Sequence, residues 1–296
     1  MSFSSETKEE LCRFPLDKRC CAVAEAYGAL LYGNLFSAEE LRLVTGSAPF
    51  AARLPELFRR AFALGFDPQP AAVHKGRETF SITKPKDIRR VFEAYGYEPE
   101  ALLAHHINLG VLEERCCKIS FLRGAFLAGG SLSDPGKSYH LELVTPHYSV
   151  SRETLSMLLE LGFAPKDLRR SGNYITYFKQ SGAIEDFLTT IGAPVAAMKI
   201  MSAKVEKDMR NTINRRVNCD SANADKIVSA SQEQLDAIEK LALAGKLDAL
   251  PEKLREAAQL RLGNPESSLS ELAAMANPPV SKSCMSHRMR QITDKR

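Results

Sequence analysis

A chain that repeats itself is limited to folds that two copies of one unit can share, and this sequence repeats. Residues 20–34 lie over residues 116–130, so that Gly28 answers Gly124 at an offset of 96, and the same offset brings Cys20-Cys21 onto Cys116-Cys117. Further on, Leu64-Gly65-Phe66 answers Leu161-Gly162-Phe163 at an offset of 97. Two landmarks at nearly one spacing argue for duplicated units, at about 17–96 and 115–191, rather than coincidence.

Each copy reads in the same order: an apolar helix, a short strand pair, an amphipathic helix ending at Gly-Phe, a second strand pair and a last helix. In the first copy the helix covers about 17–33, and Leu54, Leu57, Phe58, Ala61, Phe62 and Leu64 then recur at helical spacing until Gly65 stops them. Ala71–Lys75 and Glu78–Thr83 read as strands joined around Gly76, and Lys84–Tyr95 returns to helix. In the second copy Tyr139–Thr145 alternates as a strand, Ser151–Leu161 is helical, Asn173–Phe178 is a strand and Ala183–Ile191 a helix. The expected class is α+β, with two αββαββα halves followed by an all-α C-terminal region.

Composition sets outer limits. The 296 residues are 44% hydrophobic, enough for two domains with real cores. Forty Lys+Arg against 36 Asp+Glu give a formal charge of only +4, so a basic surface has to be local. The longest apolar stretches, such as Ala22–Leu31 and Leu155–Leu161, fall short of the ~20 residues a bilayer needs, and Met1–Glu10 is too polar for a signal peptide. A cytoplasmic location and no membrane contact are expected. The seven cysteines contain no C-x-x-C and no Cys/His pair at zinc-ligand spacing. Neighbouring residues on one helix point about 100° apart, so Cys20-Cys21 and Cys116-Cys117 are expected as buried reduced thiols, with neither a metal site nor a cofactor. His105-His106 reads as linker or surface.

After Met201 the pattern becomes helical. Pro194–Val217 reads as one helix whose Lys204, Lys207, Arg210, Asn214 and Arg215 suit phosphate contacts, and the polar stretch 218–231 reads as a linker, so that 201–231 separates residues 1–200 from a domain at 232–296. Within that domain Gln232–Ala244, Pro251–Gly263 and Ser268–Ala276 are helical runs, and Ser268-Leu269-Ser270-Glu271 matches a capping box. Pro278-Pro279 forces a turn before a last helix from Ser281 to about Thr293, which is a helix-turn-helix pattern. That last segment holds Lys282, Arg288, Arg290, Lys295 and Arg296 against Asp294, as much net charge as the whole chain. Ser281, Lys282, Ser283, Ser286, His287, Arg288 and Arg290 are the candidate DNA-contacting residues, because short hydroxyl side chains allow close approach and arginine pairs with guanine.

The residues Leu122–Gly130 resemble the LAGLIDADG helix of homing endonucleases, and Ala26–Asn34 is a weaker copy. In active members of that family the eighth motif position is an acid that binds the catalytic metal; here those positions are Gly33 and Gly129. The nearest acids, Asp134 and Glu142, do not sit at the helix end. No catalytic residue and no enzymatic activity are therefore expected, and close helix packing is the expected role of the glycines. Together with Phe121–Pro135, Arg210–Arg215, Asn218–Asn223 and Pro278–Ser283, the order of a degenerate LAGLIDADG domain and a helix-turn-helix resembles the WhiA family of bacterial transcription regulators over nearly the whole chain. Cys284 and Ser286 stand where that family more often has Gly and Asn, which favours Lys282 and Arg290 as contacts. The resemblance implies a nucleoid-associated regulator of cell division, chromosome segregation and, in spore formers, sporulation, without nuclease activity. It implies double-stranded DNA as partner, and a WhiB-type iron–sulfur regulator or RNA polymerase as protein partners; the internal symmetry is compatible with a monomer. Two other readings stay open on the residues: a metal-dependent endonuclease using Asp134 or Glu142, and an interaction scaffold.

Overall fold

The helix α2 (Arg19–Leu31) is apolar on nearly every side, which demands that protein surround it, and in the computed structural model it is buried from Ala24 to Leu31. The structure describes residues 2–65, 76–98 and 104–294. What encloses α2 is chiefly its own duplicate, α5 (Arg115–Gly129). A Cβ on Gly28 would lie 2.0 Å from the Phe121 carbonyl oxygen and 2.8 Å from the Ala125 nitrogen; a Cβ on Gly124 would lie 1.9 Å from the Glu25 oxygen and 2.9 Å from the Ala29 nitrogen. Each glycine seats the other helix's backbone. The contacts are reciprocal, as a pseudo-twofold axis requires, and the two helix starts meet at Cys20-Cys21 and Cys116-Cys117, so the helices run parallel.

Around this pair the first copy adds β1 (Leu35–Phe36), β2 (Leu41–Thr45), α3 (Ala48–Phe62), β3 (Glu78–Ile82) and α4 (Pro85–Ala94). The second adds β4 (Gly130–Leu132), β5 (Leu141–Thr145), α6 (Tyr148–Glu160), β6 (Lys166–Arg170), β7 (Asn173–Phe178) and α7 (Ser181–Ile191). Both sheets are antiparallel, in the orders β1-β2-β3 and β4-β5-β7-β6. The expected strand Ala71–Lys75 lies outside the described residues. Gly162 (φ 90) ends α6 where the sequence placed the stop, whereas α3 ends earlier than expected, at Ala63 in the left-handed region (φ 53), directly after the last helical core residue, Phe62.

Charge is buried where α2 and α5 cross. Glu25 accepts from Arg53 Nε at 2.6 Å and from Arg123 Nη1 at 3.2 Å. Arg53 also donates to the Cys12 and Phe14 carbonyls, and Arg123 to the Ile191 carbonyl, with its guanidinium 3.7 Å from the Phe14 ring centre. One carboxylate thereby ties together α2, α3, α5, the end of α7 and the segment after a helix unseen in the sequence pattern, α1 (Phe3–Cys12). Burial lowers the Arg123 pKa, against the pull of Glu25.

The chain divides into two compact units, residues 1–207 and 208–296. Residues 218–231, expected as a linker, are helical: α8 runs unbroken over Pro194–Leu243. No glycine, and no proline after Pro194, interrupts that run, so polarity alone was a poor sign of a break. At its start Glu10 accepts from the Val195 and Ala196 amides at 2.7 and 2.9 Å, and at its end Gly245 turns with φ 67. The second unit adds α9 (Glu252–Gly263), α10 (Leu269–Met275) and α11 (Lys282–Thr293) around Ile238, Leu254, Ala257, Leu272, Met285 and Met289. Arg261 is buried there and, among the described residues, donates to neutral acceptors: Gln234 Oε1 at 3.0 Å and the carbonyls of Ser267, Pro265 and Asn264. It pins the α9–α10 loop.

Two expectations about titratable groups need correcting. Of the seven cysteines only Cys117 is buried; Cys20, Cys219 and Cys284 are exposed, and the two Cys-Cys pairs, far apart in sequence, come together where α2 and α5 begin. His105 is not a surface residue either. Its ring stacks on Phe36 (5.3 Å between centres) and meets the His147 ring edge at 4.2 Å.

Two tests follow from the packing. Gly124→Ala should destabilise the chain by about 3 kcal/mol, the upper end of overpacking penalties, because the new methyl meets backbone that cannot rotate away. Gly65→Ala, where none of the described residues lies within 4 Å, should leave urea denaturation unchanged; equal midpoints for the two variants would disprove the seat. The second concerns acid. Burial and then His147 lower the His105 pKa from 6.5 to about 4, and burial lowers that of His147. Above pH 6.5 folded and unfolded chains are both neutral at these rings; below it the unfolded chain takes up protons that the folded one refuses, so stability falls as pH drops toward 4. His105→Phe should flatten that acid limb in denaturation midpoints measured at pH 7 and 5, and a limb of undiminished size would exclude His105 as its source.

Candidate nucleic-acid interface

The last helix has two unlike sides. Met285, Met289 and Ile292 enter the core of the second unit, while Lys282, Ser283, Ser286, His287 and Arg290 are exposed. At about 100° per residue these five span roughly 140° of the α11 surface, a single face. Ser281 is the N-cap: its hydroxyl accepts from the Cys284 amide at 3.2 Å. The partial positive charge of that helix end therefore emerges beside Lys282 and Ser283, an arrangement suited to phosphate.

The supporting elements are fixed by short-range chemistry. At the start of α10 the capping box closes as read, with the Ser268 amide donating to Glu271 Oε2 at 2.7 Å and the Glu271 amide to Ser268 Oγ at 3.3 Å. The Ser268 amide, and then the Ser268 hydroxyl, hold the Glu271 carboxyl below its ordinary pKa. The turn into α11 is tied back by Val280, whose amide donates to the Ala273 carbonyl at 2.9 Å.

Glu256 on α9 finishes the job, accepting from the Asn277 amide at 2.7 Å and from Arg288 Nη1 at 3.1 Å. Arg288, grouped with the DNA-contacting residues by its charge, is thus half-buried and paired on the far side of the core stripe. Its register on α11, next to Met289 and away from Arg290, was the available signal. Lys295 and Arg296 lie outside the described residues.

Of the candidates on α8, Lys204, Arg210, Asn214 and Arg215 are exposed, and Lys207 is half-buried with its ammonium 5.3 Å from the Tyr139 ring centre. Lys204 and Lys207 belong to the first unit and the other three to the second. Sequence reasoning passed over a further basic element: β6 exposes Lys166, Arg169 and Arg170 on a sheet edge, where Arg170 faces Glu142 at 3.4 Å. Charges on an edge strand prevent pairing with a stray strand, and Glu142 cancels part of their field.

The positions that would carry metal-binding acids in an active LAGLIDADG helix are closed. A Cβ on Gly129 would fall 2.6 Å from the Val144 oxygen and 3.0 Å from the Tyr32 oxygen; one on Gly33 would fall 2.2 Å from Leu43 Cδ2 and 2.8 Å from the Ala29 oxygen. Asp134 is spent on its own turn, accepting from the Gly136 amide at 2.8 Å, and Glu142 is engaged by Arg170, Ser131 and His140. Among the described residues no helix is long and apolar enough to cross a membrane.

Comparison with known proteins agrees with this division. Residues 118–210 match the WhiA LAGLIDADG-like domain and residues 213–295 the WhiA C-terminal HTH domain. The probable cell division protein WhiA of Ruminiclostridium cellulolyticum is 38% identical over 305 residues, covering 99% of this chain and 96% of that one. That of Desulfitobacterium hafniense strain Y51 is 38% identical over 302 residues, covering 99% and 95%. The crystal structure of full-length DUF199/WhiA from Thermotoga maritima superposes with a TM-score of 0.61 at 25% identity, over 99% of this chain and 97% of that one. With a degenerate LAGLIDADG unit, a helix-turn-helix unit and end-to-end similarity to these relatives, the chain belongs to the WhiA family.

Proposed function

We propose that this protein is a DNA-binding regulator acting in cell division, with α11 as the helix that enters the major groove. The observation that carries this reading is the exposed face of α11: a Ser-capped start with Lys282, Ser283 and Ser286, and Arg290 one turn further on, opposite a buried stripe of Met285, Met289 and Ile292. Among the described residues of this segment, Lys282 and Arg290 are the cations left facing outward once Arg288 is paired with Glu256. In this reading Lys282 meets phosphate, Arg290 reads a base, His287 lines the edge of the contact, and Arg210, Asn214 and Arg215 add backbone contacts of their own. Arg288 acts by holding α11 on α9.

The closed seats at Gly33 and Gly129 support a role without strand cleavage. Control of chromosome segregation and, in spore formers, of sporulation genes, from a position on the nucleoid, completes the proposal. Protein partners such as a WhiB-type iron–sulfur regulator or RNA polymerase would then meet the protein on DNA.

Selection of genomic DNA by the full-length protein at physiological salt, with Mg²⁺ present, tests the whole reading: one enriched motif and intact DNA are expected. On that motif Arg290→Ala should lose about 1–3 kcal/mol of affinity and relax preference at one base pair, while Arg288→Ala should lower thermal stability and leave base preference alone. Lys282→Ala should weaken all sequences equally and reduce the salt slope by about one. An Arg290→Ala protein with unchanged preference would remove α11 as the reader, and cut ends at the enriched site would restore a nuclease.

A further inference from the structure

Where α2 and α5 begin, four cysteines converge. Cys20 and Cys21 occupy the second and third positions of α2, Cys116 and Cys117 the same positions of α5, and all four Sγ atoms lie within 4.8 Å of one another. No single helix could do this, because its adjacent side chains diverge by about 100°. The parallel crossing at Gly28 and Gly124 does it, since the offset that seats the glycines also places one thiol pair against the other.

We propose that Cys20, Cys21, Cys116 and Cys117 form a four-thiolate site for a single thiophilic divalent cation of the zinc class, which clamps the two halves of the first unit at the start of their central helices. A tetrahedral ion with bonds of about 2.3 Å sets its sulfurs about 3.8 Å apart, so the cluster needs only a small contraction to close on one. A multi-iron cluster holds its cysteines at separate metals and needs a wider cage. Hard cations such as magnesium and calcium demand oxygen ligands, which this set lacks.

Neither Lys18 nor Glu114, the N-cap residues of α2 and α5, makes a side-chain cap bond, and two positive helix ends point at the sulfurs. Ser120 hydrogen-bonds to Cys21. Ser120 is itself buried, and so would orient a bound sulfur. Metal binding would release each remaining thiol proton to solvent. Cys20, exposed, gives the ion a way in, and Cys117, buried, closes the far side.

The test uses the full chain, reduced and stripped with a chelator, then titrated with Co²⁺. A single Co²⁺ per chain is expected, with the intense sulfur-to-metal charge-transfer and visible bands of tetrahedral thiolate coordination, displaced by Zn²⁺. Zinc should also protect residues 20, 21, 116 and 117 from alkylation, leave Cys219 and Cys284 reactive, and raise the unfolding temperature. Cys116→Ser should weaken zinc binding by more than about a hundredfold, beyond the effect of losing an orienting partner alone, while Cys284→Ser should bind as wild type. Absence of the tetrahedral bands in the wild-type titration, alkylation that zinc does not slow, or binding lost with Cys219 or Cys284 would each overturn the site. So would air-oxidised chains that carry disulfides between the two helices but whose reduced form takes up no metal. The wild-type titration decides the matter even if a serine variant fails to fold.

Discussion

Everything in the first unit hangs on the approach of two helix backbones. With Gly28 lying on the Phe121 carbonyl and Gly124 on the Glu25 carbonyl, no side chain separates α2 from α5, and the two act as one rigid axis. Each carries its own sheet and its own flanking helices outward. The close approach also explains why charge is buried beside it. The Glu25 side chain leaves the helix next to this seat, where water has been excluded. A carboxylate held there needs fixed cations, and Arg53 and Arg123 supply them while Arg53 also donates to the carbonyls of Cys12 and Phe14 and Arg123 to that of Ile191. Removing Glu25 would leave two buried guanidiniums without their carboxylate, so the triad is better understood as a specifier of geometry than as a source of stability.

The second unit solves a different problem with the same economy of means. It has to present a short helix at a fixed angle on a small core, and it uses polar groups to fix what its few apolar residues cannot. Arg261 gathers the carbonyls of the α9–α10 loop, the Ser268–Glu271 box starts α10, and Glu256 joins the following turn to α11. Buried arginine with no carboxylate partner is tolerable there because its charge is spread over several carbonyl dipoles.

Local rules made much of this legible. The duplication was visible because glycines needed at a helix crossing recur at one offset, and the extent of β7, the stop of α6 and the start of α10 followed from alternation, left-handed glycine and capping. What escaped was whatever depends on partners distant in sequence. Arg288 looked like a DNA contact because its charge is local and its partner Glu256 is not. The polar residues after Val217 looked like a linker because a helix without a buried face gives no periodic signal, though nothing in the sequence stopped it. The cysteine pairs looked unable to cooperate because spacing rules describe one helix, and the cage is made by two. His105 was misplaced for the same reason: its ring packs on Phe36 and His147, which no window of sequence shows together.

The polarity of the paired helices connects the cysteine cage with the closed seats at Gly33 and Gly129. α2 and α5 run parallel, so both partial positive ends meet at Cys20, Cys21, Cys116 and Cys117, and both partial negative ends meet near Gly33 and Gly129. Carboxylates at the negative ends would repel each other and the dipoles, and are stable only with a metal ion between them. Once no metal is held there, glycine is the better residue, because it removes that repulsion and lets Val144 and Tyr32 pack onto the helix end. Thiolates at the positive ends face no such penalty, since the dipoles that disfavour acids at one end stabilise anions at the other. A LAGLIDADG-like pair with glycine where its negative ends would carry acids therefore has, at its opposite end, the field best suited to holding a cation through sulfur.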